Sequence, residues 1–244
     1  MIYYLFFKVF GNLIVSRVSV KQRRFGGRSD YSLKTFIMNQ IIEIISNTRG
    51  LYWGNLRYYY QIVFASKGVN NPYHNFRHSM HVLCRSYEAA QHEGLDPISV
   101  RQLLIAAMFH DYNHSGVMGN DAREIQTALL ALGDCLLSED VSLYPEIMLL
   151  IKATEFPHSK CALSPGAAIL RDADMSPIFS DVWLQQIIFG LAKEMGISAL
   201  ELLLKEEDFL RSMEFYSVWG NKFLKAQVPQ RIKETKEFLK LLRQ

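Results

Sequence analysis

Two histidine-rich segments, residues 73–81 and 109–116, hold most of the side chains in the sequence that could bind a metal ion. Together they contain five of the seven histidines, and Asp111 stands directly beside His110 at the end of a strongly apolar run. An ionised aspartate in such surroundings needs a partner, because burying an unpaired charge is costly. A cation bound by His110 and Asp111 would meet that need, with a further nitrogen ligand from His78.

Another candidate ligand lies in a short acidic motif far downstream, where Asp172 and Asp174 follow the apolar run 167–170. The pattern alone leaves open which aspartate would join the site. Two nitrogens and two carboxylates suit zinc, iron or manganese better than calcium, which prefers oxygen ligands. A carboxylate can bridge to a second, harder ion such as magnesium or manganese. Two ions about 3.5–4 Å apart would clamp an in-line displacement at phosphorus and lower the pKa of a shared water, giving a hydroxide nucleophile.

These side chains need stiff elements to hold them, and the hydrophobic periodicity predicts helices almost throughout. His78 falls on a predicted helix over Asn75–Glu93, and a second helix over Asp96–Phe109 leads directly to His110. No run alternates strictly enough for a central sheet. The sequence therefore predicts an all-α domain of roughly nine to eleven helices. The other helices are expected at residues 36–46, 56–65, 121–132, 145–153, 176–195, 198–205, 208–225 and 229–242.

Composition and charge exclude several classes of protein. Hydrophobic residues make up 49% of the 244, which is enough for a sizeable core in one large domain. The cysteines Cys84, Cys135 and Cys161 are too few and too scattered for a disulfide framework, and they indicate a reducing, cytoplasmic location. The net charge is +3, but the first 29 residues hold six basic and no acidic residues, so the remainder is net acidic. Nucleic-acid binding is therefore not expected.

The first 37 residues are interpreted as an appendage to a catalytic domain over residues 38–244. Residues 1–15 are apolar, but the run is shorter than the ~20 residues that a membrane-spanning helix needs. The basic stretch that follows leaves three alternatives open. Residues 1–28 could make peripheral contact with an anionic membrane, they could be a targeting segment, or they could be upstream sequence before a functional start at Met38.

In the order and spacing of its motifs the chain resembles the catalytic domain of class I cyclic nucleotide phosphodiesterases, within the HD superfamily, and it looks most like compact microbial members. The resemblance spans about residues 50–225. It rests on four ordered pieces: Asn71-Pro72-Tyr73-His74-Asn75 followed by His78, His110-Asp111 followed by His114, Ala153-Thr154-Glu155, and Ala173-Asp174-Met175-Ser176. It implies a compact HD-type bundle with a metal cleft, and hydrolysis of cAMP or cGMP to the nucleoside 5′-monophosphate.

The resemblance also implies roles for individual residues. It prefers Asp174 over Asp172 as a ligand and makes Asp111 the bridge between two divalent ions. His74 matches the general acid that protonates the departing ribose oxygen. On physical grounds, a neighbouring carboxylate would hold His74 as an imidazolium near neutral pH. The implied ligands of the first ion are His78, His110, Asp111 and Asp174. Groups near the waters of the second ion are implied at His114 and Glu124, and substrate contacts are expected at Tyr73, Thr154 and Phe215.

Three departures from the family pattern keep other functions open. His81 stands where the family usually has aspartate, and Pro177 stands where many members have a base-contacting asparagine. Residues 208–219 contain no glutamine that could clamp a purine. Two alternatives follow: another HD-superfamily phosphohydrolase acting on a nucleotide or cyclic oligonucleotide, or a non-catalytic metal protein that binds nucleotides. The sequence does not predict an oligomeric state.

Overall fold

Helices provide all the regular secondary structure in the part of the chain that this computed structural model describes. The described residues are 39–44, 56–117, 119, 121–158 and 162–242. They contain no strand, so the prediction of an all-α fold is confirmed. The predicted appendage over residues 1–37 and the alternative start at Met38 lie outside the described residues.

The helices are numbered here in chain order. They are α1 Leu56–Phe64, α2 Phe76–Glu93, α3 Pro97–Phe109, α4 Asp121–Cys135, α5 Tyr144–Lys152, α6 Pro165–Met175, α7 with a π-helical part Leu184–Leu191 and an α-helical part Ala192–Met195, α8 Ala199–Ser212, and α9 Val228–Leu241. Residues 39–44 are also helical. Short 3₁₀ or π-helical turns cover Lys67–Asn70, Ser138–Leu143, Ser176–Phe179, Gly220–Leu224 and Lys225–Gln227. None of these helices is both long and apolar enough to span a membrane.

Helix α3 lies at the centre of the described fold because its sequence is apolar on nearly every face. Residues 103–109 are almost completely buried, and the helix packs against α1, α2, α5 and α6. Its start is fixed by Asp96, whose carboxylate accepts hydrogen bonds from the backbone N–H groups of Ile98 and Ser99, with Pro97 in the first turn. An aspartate cap followed by proline is a common helix start, and it lies where the predicted helix over Asp96–Phe109 begins. A helix buried all round carries its C-terminal residues into the interior.

Helix α2 follows the predicted boundaries closely. The side chain of Asn75 accepts hydrogen bonds from the backbone N–H groups of Arg77 and His78, and Gly94 ends the helix in a left-handed conformation at φ 68°. This end is the glycine-terminated form expected from the sequence. Helix α2 packs along both α3 and α6. The three elements that carry the predicted ligands are therefore neighbours.

Three helix predictions were wrong. The single helix expected over residues 176–195 is divided into the turn Ser176–Phe179 and helix α7, and Pro177 lies in that turn, where its ring cannot donate a hydrogen bond. The helix expected over 208–225 is interrupted at residues 213–216. Helix α6 was not predicted, although Ser164 caps it and Pro165 opens it as in other helices. This omission matters because α6 carries Asp174.

Candidate metal centre

The four predicted ligands converge at one point between α2, the C-terminal end of α3, and α6. The Nε2 atoms of His78 and His110 lie 3.2 Å apart. Oδ2 of Asp111 lies 3.0 Å from each of these nitrogens. Oδ1 of Asp174 lies 3.0 Å from Nε2 of His78 and 3.4 Å from Nε2 of His110. The structure thus brings together four side chains from two consecutive helices and from α6, which lies more than 50 residues further along the chain.

The spacing of these four atoms suits a cation at their centre. Bonds of about 2.0–2.2 Å to one ion place ligand atoms roughly 3.0 Å apart in an octahedron and roughly 3.4 Å apart in a tetrahedron. The observed separations of 3.0 to 3.4 Å span that interval. Oδ2 of Asp111 is shielded from solvent and accepts no hydrogen bond from the described residues. It lies near two imidazole nitrogens, but neither ring is aligned to donate to it. A shared ion would satisfy this orphaned oxygen.

Hydrogen bonding around His110 prepares its ring for metal binding. Nδ1 of His110 lies 2.9 Å from the backbone oxygen of Ala107, and a neutral ring that donates from Nδ1 keeps the Nε2 lone pair for an ion. His110 and His78 are almost completely buried, at 1% and 2% exposure. Nδ1 of His78 has no hydrogen-bond partner among the described residues. The hydrogen bond to the backbone oxygen of Ala107 therefore fixes the orientation of the His110 ring.

The electrostatics of the site favour positive charge at its centre. Burial by itself would lower the pKa of His78 and His110, but the carboxylates of Asp111 and Asp174 outweigh burial and raise both. Burial by itself would raise the pKa of the two aspartates, but the adjacent imidazolium groups lower both. A divalent cation at this point would compete with protons for the imidazole nitrogens, as expected where metal binding and proton release are linked.

The structure separates Asp174 from Asp172, which the residue pattern alone could not do. The carboxylate of Asp172 accepts hydrogen bonds from the backbone N–H of Tyr216 at 3.1 Å and from the backbone N–H and hydroxyl of Ser217 at 2.8 and 2.6 Å. It also fills the space where a side chain at Gly220 would stand. Asp172 therefore holds the segment 216–220 in place, and Asp174 alone of this pair joins the cluster.

The predicted proton donor, His74, lies beside the cluster and is held by a residue that the sequence did not reveal. Nδ1 of His74 lies 2.6 Å from Oε2 of Glu194. The other carboxylate oxygen of Glu194 accepts hydrogen bonds from the backbone N–H groups of Tyr73 at 3.0 Å and His74 at 3.1 Å. Burial raises the pKa of Glu194, but the hydrogen bond and charge of His74 outweigh this and lower it. A carboxylate was expected beside His74, and Glu194 is the carboxylate that lies there.

The ring of His114 is stacked on the ring of His74, with centroids 4.0 Å apart and an interplanar angle of 23°. Nδ1 of His114 accepts a hydrogen bond from the backbone N–H of Gly116 at 3.0 Å. Burial and the positive charge of His74 lower the pKa of His114. A neutral His114 must then carry its hydrogen on Nε2, so this ring is a hydrogen-bond donor. Neither ring nitrogen of His114 then has a free lone pair for an ion, because Nδ1 accepts a hydrogen bond and Nε2 carries a hydrogen. The group formed by His74, His114 and Glu194 is therefore poorly suited to hold an ion.

Two further site residues are placed close to this machinery. The ring of Tyr73 is buried and lies 4.7 Å from the rings of both His74 and His78. The carboxylate of Glu124 accepts hydrogen bonds from the backbone N–H and hydroxyl of Ser115, the residue after His114. Glu124 also lines a cleft of about 280 Å³. The ring of Tyr73 therefore packs against the rings of His74 and His78. Glu124 holds the loop that carries His114 through its hydrogen bonds to Ser115.

The remaining predicted contacts are less direct. The hydroxyl of Thr154 is buried and donates to the backbone oxygen of Ile151 at 2.8 Å, so it is already engaged. Phe215 is half-buried, and its ring centroid lies 6.2 Å from that of Phe179, in the turn that follows α6. Neither Ile151 nor Phe179 is one of the predicted ligands, so these contacts do not connect Thr154 or Phe215 to the metal centre.

Asp121, at the start of α4, is another carboxylate that sequence reasoning missed. Burial raises its pKa, and the negative charges of Asp111 and Asp174 raise it further. Its Oδ2 accepts a hydrogen bond from the backbone N–H of Phe156 at 2.5 Å. Asp121 thus lies within electrostatic range of the four-residue cluster without belonging to it. Its position as the first residue of α4 is that of a helix-start acid, so the sequence carried no separate signal for a site role.

Comparison of the chain with models of known protein families gives no match, and comparison with curated proteins gives none either.

Proposed function

We propose that this protein is a metal-dependent phosphodiesterase that hydrolyses a 3′,5′-cyclic nucleotide, cAMP or cGMP, to the nucleoside 5′-monophosphate. One observation carries the proposal. A buried cage of two imidazole nitrogens and two carboxylate oxygens stands directly beside a histidine that is paired with a carboxylate. A metal cage alone would fit many functions. A cage next to a positioned proton donor fits the cleavage of a bond whose leaving group needs a proton.

The cage formed by His78, His110, Asp111 and Asp174 would hold the first ion, for which zinc, manganese or iron fits the mixed donors. Magnesium or manganese would occupy the second site beside Asp111. When bound, two such ions supply Lewis acids for the phosphoryl oxygens and an activated water as the nucleophile. The chain itself holds His78 and Asp174 on helices and His110 and Asp111 in the turn directly after α3. Ligands carried by stiff elements make a preorganised cage.

His74 would move the proton that the reaction needs. Glu194 engages Nδ1 of His74, so Nε2 of the same ring is left to face a substrate. The imidazolium would donate its Nε2 proton to the 3′ oxygen as the bond between that oxygen and phosphorus breaks. General acid catalysis of this kind contributes about 10²–10⁴-fold to the rate. Glu194 keeps the ring oriented and compensates its positive charge.

His114 would support the reaction as a neutral donor. Its Nε2–H can bind a phosphoryl oxygen or a water, because its Nδ1 already accepts from Gly116. Its ring also covers one face of His74. This contact limits the rotation of His74 and keeps water from that face of the ring.

Replacement of His74 by alanine tests the proposed role of the proton donor. Hydrolysis of cAMP and cGMP is expected to fall about 10²–10⁴-fold, while hydrolysis of a bis-nitrophenyl phosphodiester falls less than tenfold, because nitrophenolate departs without a proton. His92→Ala is the matched control, since His92 is exposed and contacts Lys222 on the surface. Full turnover of cyclic nucleotides by His74→Ala would remove His74 from the mechanism.

A second candidate function is hydrolysis of a different nucleotide or a cyclic oligonucleotide by the same centre. The absence of glutamine from residues 208–219 favours this alternative, because a purine clamp is missing there. A substrate panel analysed by product chromatography separates the two. Tight nucleotide binding with metal present but no hydrolysis of any substrate would instead favour a non-catalytic metal protein.

A further inference from the structure

The segment that carries His74 lies against one face of helix α7. Glu194 lies on this face and contacts Tyr73 and His74 through three hydrogen bonds. Gly190 lies one turn earlier and contacts the same segment through the backbone of Pro72. Residues four apart share a helix face. Residues 72–74 therefore pack against helix α7.

Gly190 has a role that its own conformation does not explain. Its φ lies outside the left-handed region that favours glycine, so its backbone is open to other residues. The space around Gly190, however, leaves no room for a side chain. A Cβ at this position would lie 2.8 Å from the backbone oxygen of Pro72 and 3.2 Å from the backbone oxygen of Gln185. Close approach of two backbones is one of the few reasons for which a helix keeps glycine in its interior.

The local helix geometry supports a positioning role. Gly190 lies in the π-helical part Leu184–Leu191, and π-helical insertions are often found at functional sites because they change the register of the residues that follow. Glu194 follows on the α-helical part Ala192–Met195. The π-helical part therefore determines the direction in which Glu194 projects from α7. Gly190 determines how closely residues 72–74 can approach that helix.

We infer that Gly190 is a positioning residue for the proton donor: the absence of a side chain lets residues 72–74 approach α7 closely enough for Glu194 to hold His74. The inference rests on the proposed function for its catalytic meaning. A methyl group at Gly190 would push the carbonyl of Pro72 away by a few tenths of an ångström. His74 is two residues further along, so its ring would move relative to Glu194, to the metal cage, or to both.

Gly190→Ala tests this inference with two substrates that differ in the need for a proton. Misplacement of a reacting group by about 1 Å can cost about 10²-fold. A shift of a few tenths of an ångström in Gly190→Ala is therefore expected to lower cyclic nucleotide turnover roughly three- to tenfold, and bis-nitrophenyl phosphodiester turnover less than about twofold. Equal losses on both substrates would indicate a general structural defect and overturn the inference, as would no loss on either.

Gly133→Ala is the matched control, because Gly133 also lies in a helix and its added Cβ would meet only ordinary contacts, at 3.5 Å from the hydroxyl of Tyr144. Glu194→Asp is a second variant that shortens the carboxylate without introducing a clash. It should produce the same selective loss on cyclic nucleotides. This variant tests the contact that Gly190 is inferred to permit, so equal losses on both substrates in Glu194→Asp would overturn the inference even if Gly190→Ala does not fold.

A readout independent of activity separates this inference from the proposed function. The hydrogen between Nδ1 of His74 and Oε2 of Glu194 should give a strongly downfield proton NMR signal, because the two atoms are only 2.6 Å apart. His74→Ala identifies the signal by removing it. We expect the signal to weaken or move upfield in Gly190→Ala and to persist in Gly133→Ala. An unchanged signal in Gly190→Ala would overturn the inference even if the wild-type protein hydrolysed no phosphodiester.

Discussion

Alanine substitutions of Asp172 and Asp174 should have different effects on metal binding, although these residues are two positions apart on one helix. Asp172→Ala should destabilise the fold and leave metal binding intact. Asp174→Ala should weaken metal binding, and without metal it should also remove the ion pairs of Asp174 with His78 and His110. The reason is that Asp172 accepts hydrogen bonds from residues 216 and 217, whereas Asp174 faces His78 and His110.

The size of the Asp172 effect follows from its partners. The backbone N–H and hydroxyl of Ser217 would both lose their acceptor, and Ser217 is only 3% exposed. Each buried polar group left without a partner costs about 1–3 kcal/mol. Burial raises the pKa of Asp172, so removing this carboxylate also relieves a desolvation cost. A net loss of about 2–4 kcal/mol is expected, which lowers the unfolding midpoint on the order of 10 °C for a chain of this size.

Thermal unfolding with chelator and with excess zinc or manganese measures both effects together. A saturating ion at about 1,000 times its dissociation constant stabilises the folded state by about 4 kcal/mol. The wild type and Asp172→Ala should show the same rise in midpoint on metal addition. Asp174→Ala should show little or none, because loss of a ligand weakens binding by at least about 100-fold. A metal-induced rise that is lost in Asp172→Ala and kept in Asp174→Ala would refute the assignment.

Two further predictions concern buried charges away from the centre. Burial raises the pKa of Glu206 to about 7 despite the hydrogen bond from Thr235. The wild type should therefore lose up to about 3 kcal/mol of stability as pH rises from about 4.3 to 7. Urea unfolding at pH 5 and pH 8 should show that Glu206→Gln removes this loss, and parallel pH profiles of the two proteins would contradict the prediction. Asp140→Ala should lower the free energy of unfolding by about 3–5 kcal/mol. The reason is that the buried guanidinium of Arg101 loses both of its hydrogen bonds to this carboxylate, at 2.6 and 2.7 Å. Denaturant unfolding measures the loss, and a change below about 1 kcal/mol would count against the prediction.

Much of the fold was predictable because its signals are local. Asn75 and Gly94 mark the ends of α2, and Asp96 marks the start of α3, through hydrogen bonds within a few residues of each. The long apolar run before His110 predicted a buried helix and therefore an interior site. These elements and the side chains on them predicted that His78, His110 and Asp111 converge, whereas the choice of Asp174 as the fourth ligand came from the family resemblance.

The remaining parts depend on contacts between distant residues, which no local pattern records. Glu194 lies 120 positions from His74 in the sequence, and its own surroundings resemble those of any helix acid. Asp172 and Asp174 could not be separated because both follow the same apolar run. On a helix, however, they point in nearly opposite directions, and the partners on each side decide their roles. Gly190 gave no signal because its neighbour is a backbone carbonyl from another part of the chain.

The most direct test of the central claim is turnover of cAMP, cGMP and a bis-nitrophenyl phosphodiester by the wild type and Asp111→Asn, with manganese, magnesium or chelator. Asp134→Asn is the matched control, since Asp134 is exposed on α4. We predict a 5′-monophosphate product with metal, no product with chelator, and a loss of at least about 100-fold in Asp111→Asn only. Turnover that persists in chelator, or that is equal in Asp111→Asn and the control, would contradict the metal centre as the source of activity.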